Sequence, residues 1–282
     1  MNTKMFLDLP SGVRMPRLIY GTAWKKEATA TLVQEALGAG FRGIDTACQP
    51  RHYHEAGVGE GLAAWLAAGQ AREDIYLQTK FTPSDGQDPD RIPYDPNSPL
   101  PEQVQQSFAA SLANLRTGYL DCLLLHSPLP NEQDLMAVWR AMEAIVRQGG
   151  ARQIGISNCY RPELLAHLYD HAEVKPAVLQ NRFYAATGYD REIRHYCRDH
   201  DMVYQSFWTL TANAHVLAHP LMQSLAAGYR LNPAQLLFRY LTQVGVVPLT
   251  GTTDSRHMRE DLAIFSATLD DDDLDAIDGL FQ

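Results

Sequence analysis

The run Phe41-Arg42-Gly43-Ile44-Asp45-Thr46-Ala47, followed by His52-Tyr53-His54-Glu55 and then Val58-Gly59, decides how this chain is read. A short apolar segment carries a carboxylate to its end, and a loop then presents a tyrosine before a helical pattern begins. Two later segments end in the same manner, Ile75-Tyr76-Leu77-Gln78-Thr79-Lys80 and Leu123-Leu124-Leu125-His126. Asp45, Tyr53, Lys80 and His126 are thus each delivered at or just past the end of a strand-like segment.

Outward from this stretch, short apolar runs alternate with amphipathic ones. The expected strands are 17–22, 43–47, 75–81, 120–126, 152–157, 177–183, 202–208 and 246–250, and helical patterns between them include 28–38, 103–115, 135–147, 162–169, 190–200 and 233–241. Eight strands each followed by a helix predict an α/β fold, a closed parallel (β/α)8 or TIM barrel, over an open sheet. In that fold the carboxyl ends of the strands build the site, and Asp45, Lys80, His126, Asn158 and Gln180 all fall there. Before the first barrel strand, Phe6 to Met15 alternates on either side of Pro10-Ser11-Gly12, a hairpin signal.

The 282 residues suit one large domain, 1–282, with a sizeable core, and 45% hydrophobic and 20% charged residues are ordinary for a folded soluble chain. A formal charge of −9 and no basic run longer than Lys25-Lys26 argue against a nucleic-acid surface. No window approaches the length of uncharged apolar sequence that a membrane span requires, so no membrane partner and a cytoplasmic location are expected. Cys48, Cys122, Cys159 and Cys197 form no CxxC pair and are expected to be reduced.

The chemistry of the four strand-end residues is coherent. A phenol titrates near 10 in water, so a tyrosine that exchanges a proton near neutrality needs a neighbouring cation, and a buried cation needs a carboxylate. Lys80 supplies the cation, Asp45 its counter-ion, and His126 a second polar group facing a substrate oxygen. Taken singly, Lys80 reads as a snorkelling strand-end lysine and His126 as a satisfied core histidine. No metal is required.

In this order, Asp, Tyr, Lys and His resemble the tetrad of the aldo-keto reductase family, and the resemblance runs from the N-terminal turn to about Phe265. It implies that the hairpin plugs the bottom of the barrel and that the protein reduces aldehydes or ketones with a nicotinamide cofactor. Asp45 and Tyr53 are separated by a longer loop than the family's. Counted backward from Val58-Gly59, the family's tyrosine position falls on His52, which stands as the rival proton donor to Tyr53.

The resemblance also assigns cofactor residues. Gly155-Ile156-Ser157-Asn158 and Gln180 match the positions that hold the nicotinamide carboxamide, where Ser, Asn and Gln suit a planar amide. Phe207-Trp208 matches the ring-stacking region, with Phe207 the better aligned, and Thr22 and Asp45 are further cofactor candidates. The stretch 248–253 leading into Arg256-His257-Met258-Arg259 resembles the adenosine-phosphate loop and helix, where amides and hydroxyls suit a phosphate. Leu249 stands where the family often has lysine, and His257 at the usual arginine position. NADPH is the expected cofactor because Thr250, Thr252, Arg256 and Arg259 supply hydroxyls and charge, with NADH the alternative.

Trp24, Phe81, Tyr94, Tyr184 and Trp208 are candidates for an apolar pocket holding a small-molecule carbonyl substrate. The Pro, Asp and Gly-rich connection 82–101 exceeds the usual loop length and is a candidate lid. Three other patterns are set aside: Gly57-Val58-Gly59-Glu60-Gly61 as helix packing, since no strand precedes it; His167 and His171 as surface residues; and Cys48 as a buried inert thiol. The run 270–273 is expected to cap the last helix. Monomeric or weakly associating behaviour is expected. Two other functions fit the pattern, a nucleotide-holding barrel that acts as a sensor or partner subunit with little turnover, and another phosphate-binding barrel enzyme.

Overall fold

A computed structural model describes residues 5–281; the ends of the expected 1–282 domain, residues 1–4 and 282, lie outside the described residues. Two short strands, β1 (Phe6–Asp8) and β2 (Arg14–Pro16), pair antiparallel, with Gly12 at φ 77° where the turn requires a left-handed residue. Eight parallel strands then close into a barrel: β3 (Ile19–Gly21), β4 (Gly43–Asp45), β5 (Tyr76–Phe81), β6 (Cys122–Leu125), β7 (Ile154–Ser157), β8 (Val178–Arg182), β9 (Val203–Phe207) and β10 (Val247–Thr250), the last pairing with β3. Each lies within two residues of its expected bounds, and the expected (β/α)8 barrel with an N-terminal hairpin is the fold observed.

Helices α1 (Thr29–Ala39), α2 (Glu55–Ala67), α3 (Leu100–Leu115), α4 (Glu132–Arg147), α5 (Pro162–His171) and α6 (Arg191–Asp199) follow β3 to β8 in turn. After β9 come three, α7 (Ala214–Leu217), α8 (Pro220–Tyr229) and α9 (Pro233–Gln243), of which the periodicity had shown only the last. Pro233 at the first turn and reciprocal bonds between Asn232 and Gln235 start α9 as a capping box. α10 (Ser255–Ala263) follows β10, and α11 (Asp271–Asp278) closes the described chain. Asp271, Asp272 and Asp273 occupy the first turn of α11, while Asp270 holds its N-cap position without a side-chain cap bond. No described helix is long and apolar enough to cross a membrane.

Two hydrophobic regions hold the fold. The larger lies between the barrel wall and its helices, with Trp139, Phe41, Phe183 and Phe238 deeply buried. The smaller fills the barrel's lower end, where Val13 and Met15 of the hairpin pack on Ile19, Leu124, Val178 and Val247. Gly59 and Gly61 let α2 lie close to its neighbours: a Cβ would stand 1.9 Å from the Asn114 carbonyl oxygen of α3 and 2.8 Å from that of Ala30 in α1. The glycine run is therefore helix packing, as expected. The four cysteines are buried and unbridged.

Candidate active site

Strand alternation places Asp45, Gln78 and Lys80 inside the upper barrel. The Lys80 ammonium donates to both Asp45 oxygens at 2.7 Å and to the Thr46 carbonyl at 2.8 Å, and it lies 5.2 Å from the centroid of the Tyr53 ring. An ammonium has three protons, and the two Asp45 oxygens and the Thr46 carbonyl are three acceptors. The Tyr53 hydroxyl, near that charge, keeps its own proton available, since an ammonium offers it no acceptor. Burial opposes the charge on Lys80, but Asp45 and Tyr53 outweigh it and the ammonium is held more firmly than usual.

Burial also raises the Tyr53 phenol above its ordinary value; Lys80 pulls it down and Asp45 pushes it up. The ammonium therefore moderates a rise instead of producing the fall expected from sequence, and Tyr53 is protonated at neutral pH. The edge of its ring meets His126 with centroids 6.0 Å apart. His52, the rival, turns its ring onto Trp24 at 4.2 Å, and its backbone carbonyl accepts from the Trp24 amide. The geometry brings Tyr53, not His52, to the ammonium.

His126 Nδ1 lies 2.7 Å from the Thr82 hydroxyl. Burial, then the charges of Lys80 and His52, drive its pKa well below the ordinary value, so the ring is neutral. The Thr82 hydroxyl is buried and bonds only this nitrogen among the described residues; donating to Nδ1 leaves the hydrogen on Nε2. Thr82 is in turn fixed from the connection between β5 and α3, its carbonyl accepting from Tyr94 at 2.8 Å and Gln87 at 3.2 Å. Gln87 also donates to the Cys48 carbonyl, and Gln49 donates to that of Gly86. The connection expected to be a lid is thus stitched to the barrel.

This corrects two pocket candidates. Phe81 and Tyr94 stack on each other at 5.6 Å, are 1% and 7% exposed, and belong to the main core. They brace the loop and present no wall to a ligand. Trp24 and Trp208 are open, 59% and 51% exposed, and Tyr184 is half-buried against Tyr160.

Below the Asp45–Lys80 pair lies a layer of amides of which the sequence reading named only Gln180. Gln78 and Gln180 each donate to Asp45 Oδ1, at 2.7 and 3.0 Å, and both donate to Gln205. Gln78 accepts from the Tyr76 hydroxyl, which accepts in turn from Gln153, and Gln153 accepts from Ser11 in the hairpin turn. The signal was present: Tyr76, Gln78 and Lys80 share one strand face, so a polar residue two positions before Lys80 points the same way.

The carboxamide candidates come together at the ends of β7 and β8. Ser157 donates to the Gln180 carbonyl at 2.7 Å, and Asn158, at φ 54°, donates to the His126 carbonyl and accepts from Tyr160. Thr22 donates to the Asp45 carbonyl. At the phosphate candidates the arrangement is less open than expected. Asp254 caps α10 by accepting from the amides of Arg256 and His257, so a carboxylate already occupies that helix start. Thr250 spends its hydroxyl on Asp261, and Arg256 pairs with Glu260 at 3.7 Å; Arg259 is exposed, and Thr252 keeps a hydroxyl proton while accepting from the Asp254 amide. Lys25 reaches across to the Gly251 carbonyl.

Of the decoys, His167 and His171 stack on each other along α5. Burial and the charge of Glu55 push the Cys48 thiol up to about 12, as suits an inert group. A groove of about 630 Å³ lies at the other end of the barrel, beside Leu9, Arg194, Tyr204 and Asp275, and holds none of the candidate residues.

The Aldo/keto reductase family model matches residues 17–282 of the chain. The chain belongs to that family. An uncharacterized oxidoreductase of Bacillus subtilis is 30% identical over 96% of this chain and 91% of its own length. The glyoxal reductase of the same organism is 29% identical over 97% and 92%. The crystal structure of an aldo/keto reductase from Brucella melitensis superposes with a TM-score of 0.83 at 30% identity, covering 98% of both chains. Family membership supports oxidoreductase activity and a nicotinamide cofactor.

Proposed function

We propose that the protein reduces aldehydes or ketones to alcohols, with Tyr53 as the proton donor. One observation carries this reading: a single buried ammonium, clamped by the Asp45 carboxylate, stands beside the Tyr53 ring, next to a neutral histidine. A nicotinamide cofactor, when bound, would supply the hydride that the carbonyl carbon takes up. Tyr53 holds a proton at its hydroxyl and passes it to the carbonyl oxygen, and Lys80 limits the cost of the phenolate left behind. His126 presents Nε2–H to the same oxygen, fixing which lone pair faces Tyr53. Asp45, held by Gln78 and Gln180, keeps the ammonium charged and in place.

The residues fit a nicotinamide ring. Ser157, Asn158 and Gln180 gather hydroxyl and amide groups for a carboxamide. Beside them Phe207 and Trp208 leave aromatic surface that a stacked ring would cover. NADPH remains the first choice through Arg256, Arg259, Thr250 and Thr252; the Asp254 carboxylate keeps NADH close behind. The glyoxal reductase relative puts small dicarbonyls in the substrate panel. We place the enzyme in the cytoplasm as a monomer or weak homo-oligomer.

The test is a fluorescence titration with NADPH and NADH, followed by a carbonyl panel that includes glyoxal, on wild type, Tyr53→Phe and His52→Ala. Wild type should oxidise the reduced nucleotide, and Tyr53→Phe should lose about 10²–10⁴ in kcat while still binding it. Full rate in Tyr53→Phe with an inactive His52→Ala would move the proton donor to His52. Binding without turnover on any carbonyl would favour the sensor reading.

A further inference from the structure

Arg182 is the last residue of β8, two positions beyond Gln180 on the same inward face, so it stands about 7 Å further along the strand toward the mouth. In register it lies beside Phe207. Its guanidinium is 4.0 Å from the Trp208 ring centroid and 5.2 Å from that of Tyr184. Its Nε is buried without a hydrogen-bond partner, and the guanidinium makes no ion pair among the described residues. Other part-buried arginines are more fully occupied: Arg72 bonds Asp121, Thr117 and two carbonyls, and Arg17 bonds two carbonyls, whereas Arg239, whose Nε is also unpartnered, lies buried in α9 away from the barrel mouth.

A half-buried cation with an orphaned donor is costly unless something completes it. Two aromatic side chains lie against it, which leaves the outer edge of the plane, where the terminal Nη–H groups point, for an acceptor. That edge suits a carboxylate, which accepts two parallel bonds from a guanidinium. The location favours a substrate over the far end of a dinucleotide. Thr250, Thr252, Arg256 and Arg259 follow β10, two strands away in the barrel order, whereas Gln180, directly below Arg182, bonds Asp45 in the catalytic cluster.

We propose that Arg182 is a specificity-determining residue that binds the carboxylate of an acidic carbonyl substrate, such as an oxo acid or an aldehyde acid, and orients its carbonyl toward Tyr53 and His126. This rests on the reductase reading and narrows its substrate class. Trp208 and Tyr184 hold the guanidinium between them and form the apolar sides of the subsite.

The test compares 4-carboxybenzaldehyde with its methyl ester, which keeps ring and aldehyde but removes the charge, in wild type, Arg182→Gln and Arg182→Lys. Wild type should favour the acid in kcat/KM by about tenfold or more. Arg182→Gln should erase that preference, mainly through KM, and Arg182→Lys should restore part of it. A brace that only supported Trp208 would leave the acid-to-ester ratio unchanged, and that result would overturn the proposal. So would an unchanged ratio with a raised KM for the nucleotide, which would assign the guanidinium to a nucleotide phosphate. In parallel, tryptophan fluorescence follows binding of 4-methoxybenzoate and 4-methoxybenzamide to the nucleotide-loaded protein. Preference for the benzoate, lost in Arg182→Gln, supports the subsite even if neither aldehyde is reduced, an outcome that would sink the reductase reading alone. Equal binding of the two would overturn the proposal.

Discussion

The Lys80 ammonium lies 2.7 Å from each oxygen of the Asp45 carboxylate, and both side chains are almost wholly buried. Taking two charges out of water is expensive, and removing one leaves the other uncompensated. Lys80→Met or Asp45→Leu should each cost about 3–5 kcal/mol, and the double variant clearly less than the sum. Urea unfolding midpoints with a shared slope check this. Additive losses would show that the two groups do not depend on each other.

Gly59 admits no side chain, because a Cβ would lie 1.9 Å from the Asn114 carbonyl oxygen. Gly59→Ala should push α2 away from α3 and destabilise by about 3 kcal/mol or more. Gly228, within α8, has open space around its Cα. Gly228→Ala should therefore raise stability by about 0.5–1 kcal/mol through helix propensity. Opposite signs in one denaturant series would establish that close approach, and not glycine content, sets the outcome.

Asp261 carries a pH dependence of stability. Burial pushes its carboxyl up to about 6, against the pull of the Thr250 hydroxyl. The unfolded carboxyl titrates near 3.9, so the folded state holds the proton more tightly. Its contribution is complete below about pH 4, is lost as pH rises through 6 and then levels, with a ceiling of about 3 kcal/mol. Asp261→Asn should flatten the fall in unfolding free energy between pH 4 and 6, and an unaltered slope would assign it to other groups.

Asp254 places a carboxylate where an adenosine 2′-phosphate would approach α10. Asp254→Asn keeps an acceptor for the helix amides and removes the repulsion. The ratio of kcat/KM for NADPH to that for NADH should rise about threefold to tenfold. No rise, or a fall, would mean that the phosphate does not meet this end of the helix.

Most of the barrel was legible because each strand is a short apolar run bounded by turn residues and followed by an amphipathic stretch. What escaped depended on contacts between distant segments. Gln78 and Gln205 sit inside strands that read as continuous core, and only closure of the barrel turns the Gln78 amide onto Asp45 and brings Gln205 against Gln78. The choice between His52 and Tyr53 rests on which ring reaches Lys80, a matter of loop conformation that spacing does not fix. Phe81 and Tyr94 read as pocket walls because aromatic residues near strand ends suit a ligand equally well; the packed course of the 82–99 connection buries them. The Asp254 cap was a readable signal, an aspartate directly before a helical run, overlooked beside the surrounding hydroxyls and arginines. Helices α7 and α8 lay in a stretch of mixed polarity where Pro220 was the clearest mark.

From Ser11 in the hairpin turn, hydrogen bonds run without a break through Gln153, Tyr76 and Gln78 to Asp45, and so to the ammonium that stands beside Tyr53. The stopper at the base and the acid at the mouth are therefore two ends of one polar column. Trimming or redesigning the N-terminal turn for convenience would change the foundation on which the proton donor rests, and a kinetic cost would surface at the face of the molecule opposite the edit.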